Sequence, residues 1–330
     1  MDSRRNPLTS TRAAVGFTII AAAGWCGWVL VNALVRGQGR RAALLYLIPP
    51  VVAGAGIVVG RIAAAVQRRF PVAEVVAALT LLMMLSTSFY ANAEAATGVQ
   101  LVALSALLLL STFDGGLSER RAARSIVAAL VTLTLGVLLA ARSDAAAILA
   151  VVLVATIAYA LVRRQLAQLR VGVGAVVAIL VAALTNIGLG LLRAWPAWLA
   201  ESQALSQARH TLWRDALRLW RDHPLAGGGP GSFVGYSELA TSRSSLERVH
   251  SSLLQLGSEL GIVGVALFGL LLLAGLLIAA RGSLQAAVIG MLAWTALAIH
   301  SFIDHLYEYP TVVLTAGIVL GWAASTQRRP

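Results

Sequence analysis

Long apolar stretches recur along the whole chain and constrain its fold more than any other feature. Each is about 17 to 22 residues long, which is enough to cross a hydrocarbon core of about 30 Å as an α-helix. Backbone groups in lipid must be hydrogen-bonded internally, so a spanning segment is either a helix or part of a closed barrel. Barrel strands would alternate apolar and polar residues, and these stretches do not. The sequence therefore predicts an all-α, polytopic integral membrane protein.

The composition agrees with this fold class. Of the 330 residues, 58% are hydrophobic and 12% are charged, which is too little charge to cover the surface of a water-soluble protein of this length. We predict a single membrane domain over residues 1–330 with about ten transmembrane helices. These spans lie near residues 13–35, 42–60, 72–91, 98–113, 125–141, 145–162, 171–192, 259–280, 284–303 and 310–324.

The orientation follows from arginine, because basic residues near span ends are retained in the cytoplasm. Arginines flank the predicted cytoplasmic ends of the spans at Arg4, Arg5, Arg12, Arg61, Arg68, Arg69, Arg120, Arg121, Arg124, Arg163, Arg164, Arg170, Arg328 and Arg329. Both termini are then cytoplasmic. The net charge of +12 is explained by this placement between spans, so no nucleic-acid partner is expected.

One connector disagrees with this orientation. Arg36, Arg40 and Arg41 lie between the first two spans and would be outside the cytoplasm. Three explanations are open: the rule is violated there, the first two spans are misdrawn, or these arginines contact lipid phosphates.

The longest polar segment, residues 193–258, lies between the seventh and eighth spans, and the orientation makes it extracytoplasmic. From about residue 200 to 221 its pattern is helical, and Arg209, Trp213 and Trp220 share one face. We predict an amphipathic helix in the membrane interface with its tryptophans at headgroup depth, ending before Pro224.

The rest of this polar segment leads into the eighth span. The run GGGPGSF predicts a turn, and it lacks the lysine of a phosphate-binding loop. The next helix begins either at Ser244, which forms a capping box with Glu247, or at Ser252, which does so with Gln255. Either start puts His250 close to a helix N-terminus.

Few residues on this side could carry chemistry. No histidine pair has metalloprotease spacing and the acids form no clustered pair, so we expect neither a metal nor a cofactor. His250, Arg142 and Arg209 remain. Each also has an ordinary structural explanation: a local hydrogen bond for the histidine, an interfacial position for Arg142 and a solvated helix face for Arg209.

The pattern RHTLWRDALRLWRDHPLAGGGPGSF (209–233), followed by HSSLLQLGSELGIVG (250–264), resembles the O-antigen ligase and polymerase family of bacterial envelope glycosyltransferases. The resemblance rests on Arg209 four residues before Trp213, on the Pro-Leu-x-Gly-x-Gly run, and on His250 before Leu-Gln-Leu and Glu-Leu-Gly-x-x-Gly. Two features depart from it. Arg142 lacks the flanking Ser and Gly of the family pattern, and Ser251 replaces an asparagine.

The resemblance implies transfer of a glycan from undecaprenyl-pyrophosphate to an acceptor hydroxyl, on a glycolipid such as lipid A-core, outside the cytoplasm. His250 would be the general base, because an imidazole titrates near neutral pH. Arg142 and Arg209 would bind the pyrophosphate through their planar, permanently charged forks. Glu259, Gln255 and Trp213 would support the site. Glu259 is predicted to be out of phase with His250 and to form a polar stripe with Ser251 and Gln255.

Two alternatives stay open at this stage. A polymerase would use a second lipid-linked repeat as the acceptor, and the shared motifs do not separate it from a ligase. A transporter or flippase would also have many spans. It should, however, have polar residues near the membrane midplane and internal repeats, neither of which the sequence suggests.

Overall fold

The computed structural model describes residues 11–37, 40–67, 69–85, 90–113, 117–162, 168–200 and 206–326. This part of the chain is helical, without strands, which confirms the all-α prediction. The helices are α1 (Thr11–Val35), α2 (Arg40–Val66), α3 (Val72–Leu85), α4 (Ala91–Phe113), α5 (Glu119–Ala140), α6 (Asp144–Val162), α7 (Gln168–Leu191), α8 (Ala197–Ala200), α9 (Gln207–Asp222), α10 (Ser232–Tyr236), α11 (Glu238–Ser242), α12 (Ser252–Ala279), α13 (Leu284–Phe302) and α14 (Pro310–Ser325).

Seven of the described helices, α1, α2, α4, α5, α7, α12 and α13, are long and apolar enough to cross a membrane. Three shorter apolar helices, α3, α6 and α14, lie where the remaining predicted spans were placed. A polytopic membrane protein is therefore confirmed, whereas the number of about ten spans stays a prediction.

Glycines allow α2 and α14 to pack closely against each other. Gly56 and Gly60 on α2 face Gly317 and Gly321 on α14. A side-chain carbon at any of the four would collide with a backbone carbonyl of the facing helix. Small residues let two helix backbones approach closely, and in lipid such packing replaces the hydrophobic effect as the attraction between helices.

A proline pair interrupts the hydrogen bonding of α2. Pro50 has no N–H, so the carbonyl of Tyr46 lacks its usual partner within the helix. The indole Nε1 of Trp25, on α1, donates to that carbonyl at 2.8 Å. This bond ties α1 to α2 and satisfies a backbone group that would otherwise be unpaired in an apolar environment.

Candidate active site

His250 lies in the connection between α11 and α12, two residues before α12 begins. α12 begins at Ser252 and is capped by Ser251, whose Oγ accepts a hydrogen bond from the Leu254 N–H at 3.2 Å. The predicted helix start at Ser252 is therefore confirmed, although the capping residue is Ser251. The start at Ser244 is wrong, because Ser244 begins only a short 3-10 turn.

A buried carboxylate, Asp304, gathers side chains from four parts of the chain. Around it lie Nδ1 of His250 at 3.4 Å, Nδ1 of His305 at 2.8 Å, the hydroxyl of Tyr90 at 2.9 Å, the amide of Asn92 at 2.5 Å and Nη2 of Arg209 at 3.6 Å. We call these six residues the Asp304 cluster. Nothing in the sequence spacing joined Asp304 to His250, because 54 positions separate them.

The cluster leaves His250 suited to accept a proton. Burial lowers the pKa of His250 below its usual value, and the hydrogen bond with Asp304 partly opposes that shift. A carboxylate can only accept, so Nδ1 carries the proton and Nε2 has the lone pair. In the described structure Nε2 is buried and has no hydrogen-bond partner. A neutral imidazole with an unoccupied lone pair is what a general base requires.

Asp304 stays ionised in this environment. Burial opposes its charge, but hydrogen bonds from His250 and His305 and the charge of Arg209 hold its pKa well below the usual value. Arg209 also donates from Nη1 to the Ile303 carbonyl at 2.7 Å, and its side chain is 11% exposed. It is thus a mostly buried residue of the cluster, and the solvated helix face that the sequence allowed is not observed.

The structure also brings together a grouping that the sequence did not suggest. His250, Asp304 and His305 each offer a potential metal-ligand atom, and these atoms lie within 4.8 Å of one another. The sequence-based expectation concerned histidine spacing and pairs of acids, whereas these three residues meet only through the tertiary fold. Arg209 already places a positive charge beside Asp304, and a cation there opposes the binding of another.

Arg142 reaches the cluster indirectly. It forms an ion pair with Glu94, which is buried in the first turn of α4, and its own side chain is 44% exposed. Asn92, two residues before Glu94, donates to Asp304. Arg142 therefore lies at the same end of the bundle as His250, separated from it by the start of α4.

Helix α9 corresponds to the predicted amphipathic helix and ends before Pro224, and residues 201–205 of that prediction lie outside the described residues. Trp213 is 0% exposed, packs edge-on against Trp195, and donates from Nε1 to the His250 carbonyl at 3.3 Å. Protein therefore surrounds Trp213 where the sequence suggested lipid, and its depth in the membrane stays a prediction. Residues 193–200 fold over this face of α9, so protein covers it.

The two quoted motifs are hydrogen-bonded to each other. α12 breaks at Gly261, where φ is 68° and ψ is −169°. Two carbonyls freed by the break, those of Ser258 and Glu259, accept from Gly228 and Gly229 at 2.9 Å each. In return, the amide of Ile262 donates to the Pro224 carbonyl at 2.9 Å. We call this pairing of residues 224–229 with residues 258–263 the motif junction, and it explains physically why the two motifs occur together.

Gln255 and Glu259 lie in the half of α12 next to His250. Both are buried, and Gln255 donates from Nε2 to Glu259 Oε1 at 2.7 Å. The prediction that Glu259 is out of phase with His250 assumed one continuous helix. That condition does not apply, because His250 precedes the helix; the neighbouring residue Val249 is linked to Glu259 through the side chain of Gln255.

The connector between α1 and α2, whose arginines disagree with the predicted orientation, contacts the motif junction. Arg36 donates from Nη2 to the Gly227 carbonyl at 2.9 Å, and Asn32 donates to the Ala226 carbonyl. This connector therefore lies at the same end of the bundle as the polar segment. The spans were not misdrawn here, and for Arg36 the bound group is a backbone carbonyl.

An apolar cavity opens beside the cluster. It contains about 1030 Å³ of empty space, part of it continuous with the outside, and lies between α1, α2, α12 and α14. His305, Glu308 and Ser252 line one end, whereas Ile57, Leu272 and Leu320 line deeper parts. The polar end and the apolar interior suit an amphiphile with a hydrocarbon chain.

Fold and cluster together define a class: a multi-pass helical membrane protein with a buried histidine, carboxylate and arginine at one end of its bundle. A model of the O-antigen ligase family matches residues 128–269, which include Arg142, Arg209, His250 and Glu259. This match confirms the resemblance read from the motifs and supports an O-antigen ligase family member of the membrane glycosyltransferase type. No curated protein matches the chain.

Several residues of the site had no role predicted from the sequence. Asp304 and His305 follow the ninth predicted span, where they could line the same cavity as His250, and Tyr90, Asn92 and Glu94 were not singled out. A signal was present, since polar and ionisable residues at the start of an apolar stretch are costly and indicate a functional role. Asn92 and Glu94 occupy such a position.

Proposed function

We propose that this protein transfers a glycan from undecaprenyl-pyrophosphate to a hydroxyl of a membrane glycolipid, such as lipid A-core, on the extracytoplasmic side of the bacterial inner membrane. The observation that carries the proposal is His250, with Nε2 unoccupied and Nδ1 directed at an ionised Asp304. Family membership supports a lipid-linked glycan donor and a membrane acceptor in general. The cavity beside the cluster supports a substrate with a hydrocarbon chain.

The proposed reaction is a single displacement. The acceptor hydroxyl gives its proton to Nε2 of His250 as its oxygen bonds to the anomeric carbon. The bond from that carbon to the pyrophosphate oxygen breaks, and the pyrophosphate leaves on its carrier with the electron pair. The anomeric centre is inverted. Asp304 stabilises the imidazolium that forms, and the proton then leaves to solvent or to the departing phosphate.

The departing pyrophosphate gains negative charge, and arginine can stabilise it without a metal. We propose Arg142 and Arg209 for this role, with Arg142 the more accessible of the two. Each charge-assisted contact contributes about 1.5 to 3 kcal/mol. Trp213 supports the base by holding the His250 carbonyl.

Purified protein supplied with lipid-linked glycan and acceptor tests the role of His250. His250→Ala should remove transfer while leaving a folded protein, because general-base assistance contributes about 10² to 10⁴ in rate. His223→Ala, in the same polar segment, is the matched control and should retain activity. Normal transfer by His250→Ala would overturn the proposed base.

Deletion in the native host tests the reaction class. Long glycans stranded on the carrier indicate a ligase, and accumulated single repeats indicate a polymerase. Unchanged lipid-linked species would contradict the transferase and favour a transporter.

A further inference from the structure

The backbone at His250 is in an uncommon conformation. Its φ is 53°, and among the described residues it is the one non-glycine with a positive φ. Only a few per cent of non-glycine residues adopt this left-handed region, although histidine does so more often than most, so the surroundings must hold the residue there. The direction of the imidazole depends on this conformation, because the side chain leaves the same Cα.

Hydrogen bonds hold the chain on both sides of His250. Before it, the Val249 N–H donates to Gln255 Oε1 at 2.9 Å. After it, the Ser252 N–H donates to the Asp304 carbonyl at 3.0 Å, in addition to the bond from Trp213 described above. Of these, the bond to Gln255 depends on which way a side-chain amide is turned.

Glu259 determines that direction. Its carboxylate is 1% exposed and accepts from the Gly231 N–H at 2.6 Å, the Phe233 N–H at 3.3 Å and the hydroxyl of Tyr46. A carboxylate offers no donor, so the amide of Gln255 must turn its NH2 group towards Glu259. Its carbonyl oxygen then necessarily faces Val249.

We infer that Glu259 is a positioning residue whose buried carboxylate orients Gln255 and thereby keeps His250 in its left-handed conformation. The inference rests on the proposed function only in treating His250 as the base. This role also explains why an ionisable residue is buried at the motif junction. The carboxylate of Glu259 binds the backbone of residues 231–233 to α12 and, through Gln255, determines the geometry of the site.

The test compares three variants of the purified full-length protein. Glu259→Gln replaces a carboxylate, which can only accept hydrogen bonds, by an amide, which can also donate them. Gln255→Leu removes the link to Val249 and leaves the other donors to Glu259 in place. Glu238→Gln, an exposed glutamate of the same polar segment, is the control for lost charge. Activity is expressed per folded molecule after size-exclusion chromatography.

Two outcomes are expected of both site variants. The kcat should fall by about 10²-fold, since a displacement of about 1 Å costs that much, with the KM for the lipid donor unchanged. The acid limb of the pH profile should also move to higher pH. Burial is the main reason why the pKa of His250 is lowered, and the charged or titratable groups that face it are Asp304, His305 and Arg209. An imidazole that moves towards solvent is less buried, so its pKa is higher. A role in folding alone would not move that limb.

A second measurement does not depend on transfer activity. Diethyl pyrocarbonate modifies accessible imidazoles, and mass spectrometry can follow His250 against His223 in the same molecule. Modification of His250, which is 8% exposed, should be faster in Glu259→Gln and Gln255→Leu than in the native protein or Glu238→Gln. Unchanged modification rates in both variants would overturn the inference even if His250 proves essential. The His250→Ala assay tests the proposed function, and its result does not decide whether Glu259 positions His250.

Discussion

Replacing Asp304 by asparagine tests the most specific electrostatic feature of the site. The substitution keeps the shape of the side chain and removes its charge. In the native protein, Oδ1 of Asp304 lies 3.4 Å from Nδ1 of His250, and Arg209 lies 3.6 Å from the other oxygen. When His250 takes a proton, Asp304 is the charge that offsets the new imidazolium. Without it, the imidazolium faces Arg209 uncompensated.

The size of the effect follows from the distance. Two unit charges 3.4 Å apart interact by about 5 kcal/mol at an effective dielectric constant of about 20. Only the share present in the transition state affects the rate, and each 1.36 kcal/mol corresponds to about tenfold. If most of the proton has been transferred, Asp304→Asn lowers kcat by about 10³-fold. This value lies within the range typical of general-base catalysis.

The assay is glycan transfer by the purified protein, measured across pH. The hydrogen bond from His250 to Asp304 raises the pKa of His250 against the effect of burial, so its loss lowers that pKa. The acid limb, where rate is lost as the base becomes protonated, therefore moves to lower pH in Asp304→Asn. Asp222→Asn, at an exposed carboxylate, is the control and should leave the kcat and the acid limb of the pH profile unchanged. A kcat within threefold of the native value, or an acid limb at higher pH, would refute the reasoning.

Three other substitutions have definite expected results. Arg209→Lys keeps the charge and loses the planar fork, so it should lower transfer about tenfold or more by removing a charge-assisted bond; native turnover would show that the fork is not needed. Gly261→Ala puts a side chain against the Leu225 carbonyl at a backbone conformation that favours glycine, and it should destabilise the protein by about 3 kcal/mol or more in detergent unfolding. Gly60→Leu should separate α2 from α14 and lower the thermal unfolding temperature, and an unchanged temperature would contradict the packing described here.

The helical fold was predictable because membrane lipid imposes a strong constraint on sequence. Ten apolar stretches were located from hydropathy, and each overlaps a helix among the described residues; the third continues past the end of α3 into residues 86–89, which lie outside them. The period of Arg209, Trp213 and Trp220 predicted α9 for a similar reason, since a helix repeats every 3.6 residues. What this period could not determine was the partner of the buried face. Lipid and protein both accept an apolar side chain, and the environment of Trp213 was predicted wrongly for that reason.

The site was predictable only where the residues form a pattern along the chain. His250 and Arg209 stand in a recognisable motif, whereas Asp304 is joined to them by tertiary contacts alone. The break of α12 was hidden for another reason. Gly261 lies in an apolar run without proline, and its positive φ depends on a partner segment more than 30 residues earlier in the chain. The excess of arginine in the first connector likewise had a cause that hydropathy does not contain, since Arg36 binds the Gly227 carbonyl.

The broken helix also has a consequence for how the protein is made. Residues 224–229 are synthesised before α12, so their hydrogen-bond partners in α12 are not yet present when they leave the ribosome. α12, for its part, enters the membrane with carbonyl groups that lipid cannot satisfy. Neither segment satisfies its backbone hydrogen bonds alone, so the two must pair after insertion. Closure of the motif junction is thereby coupled to the insertion of α12.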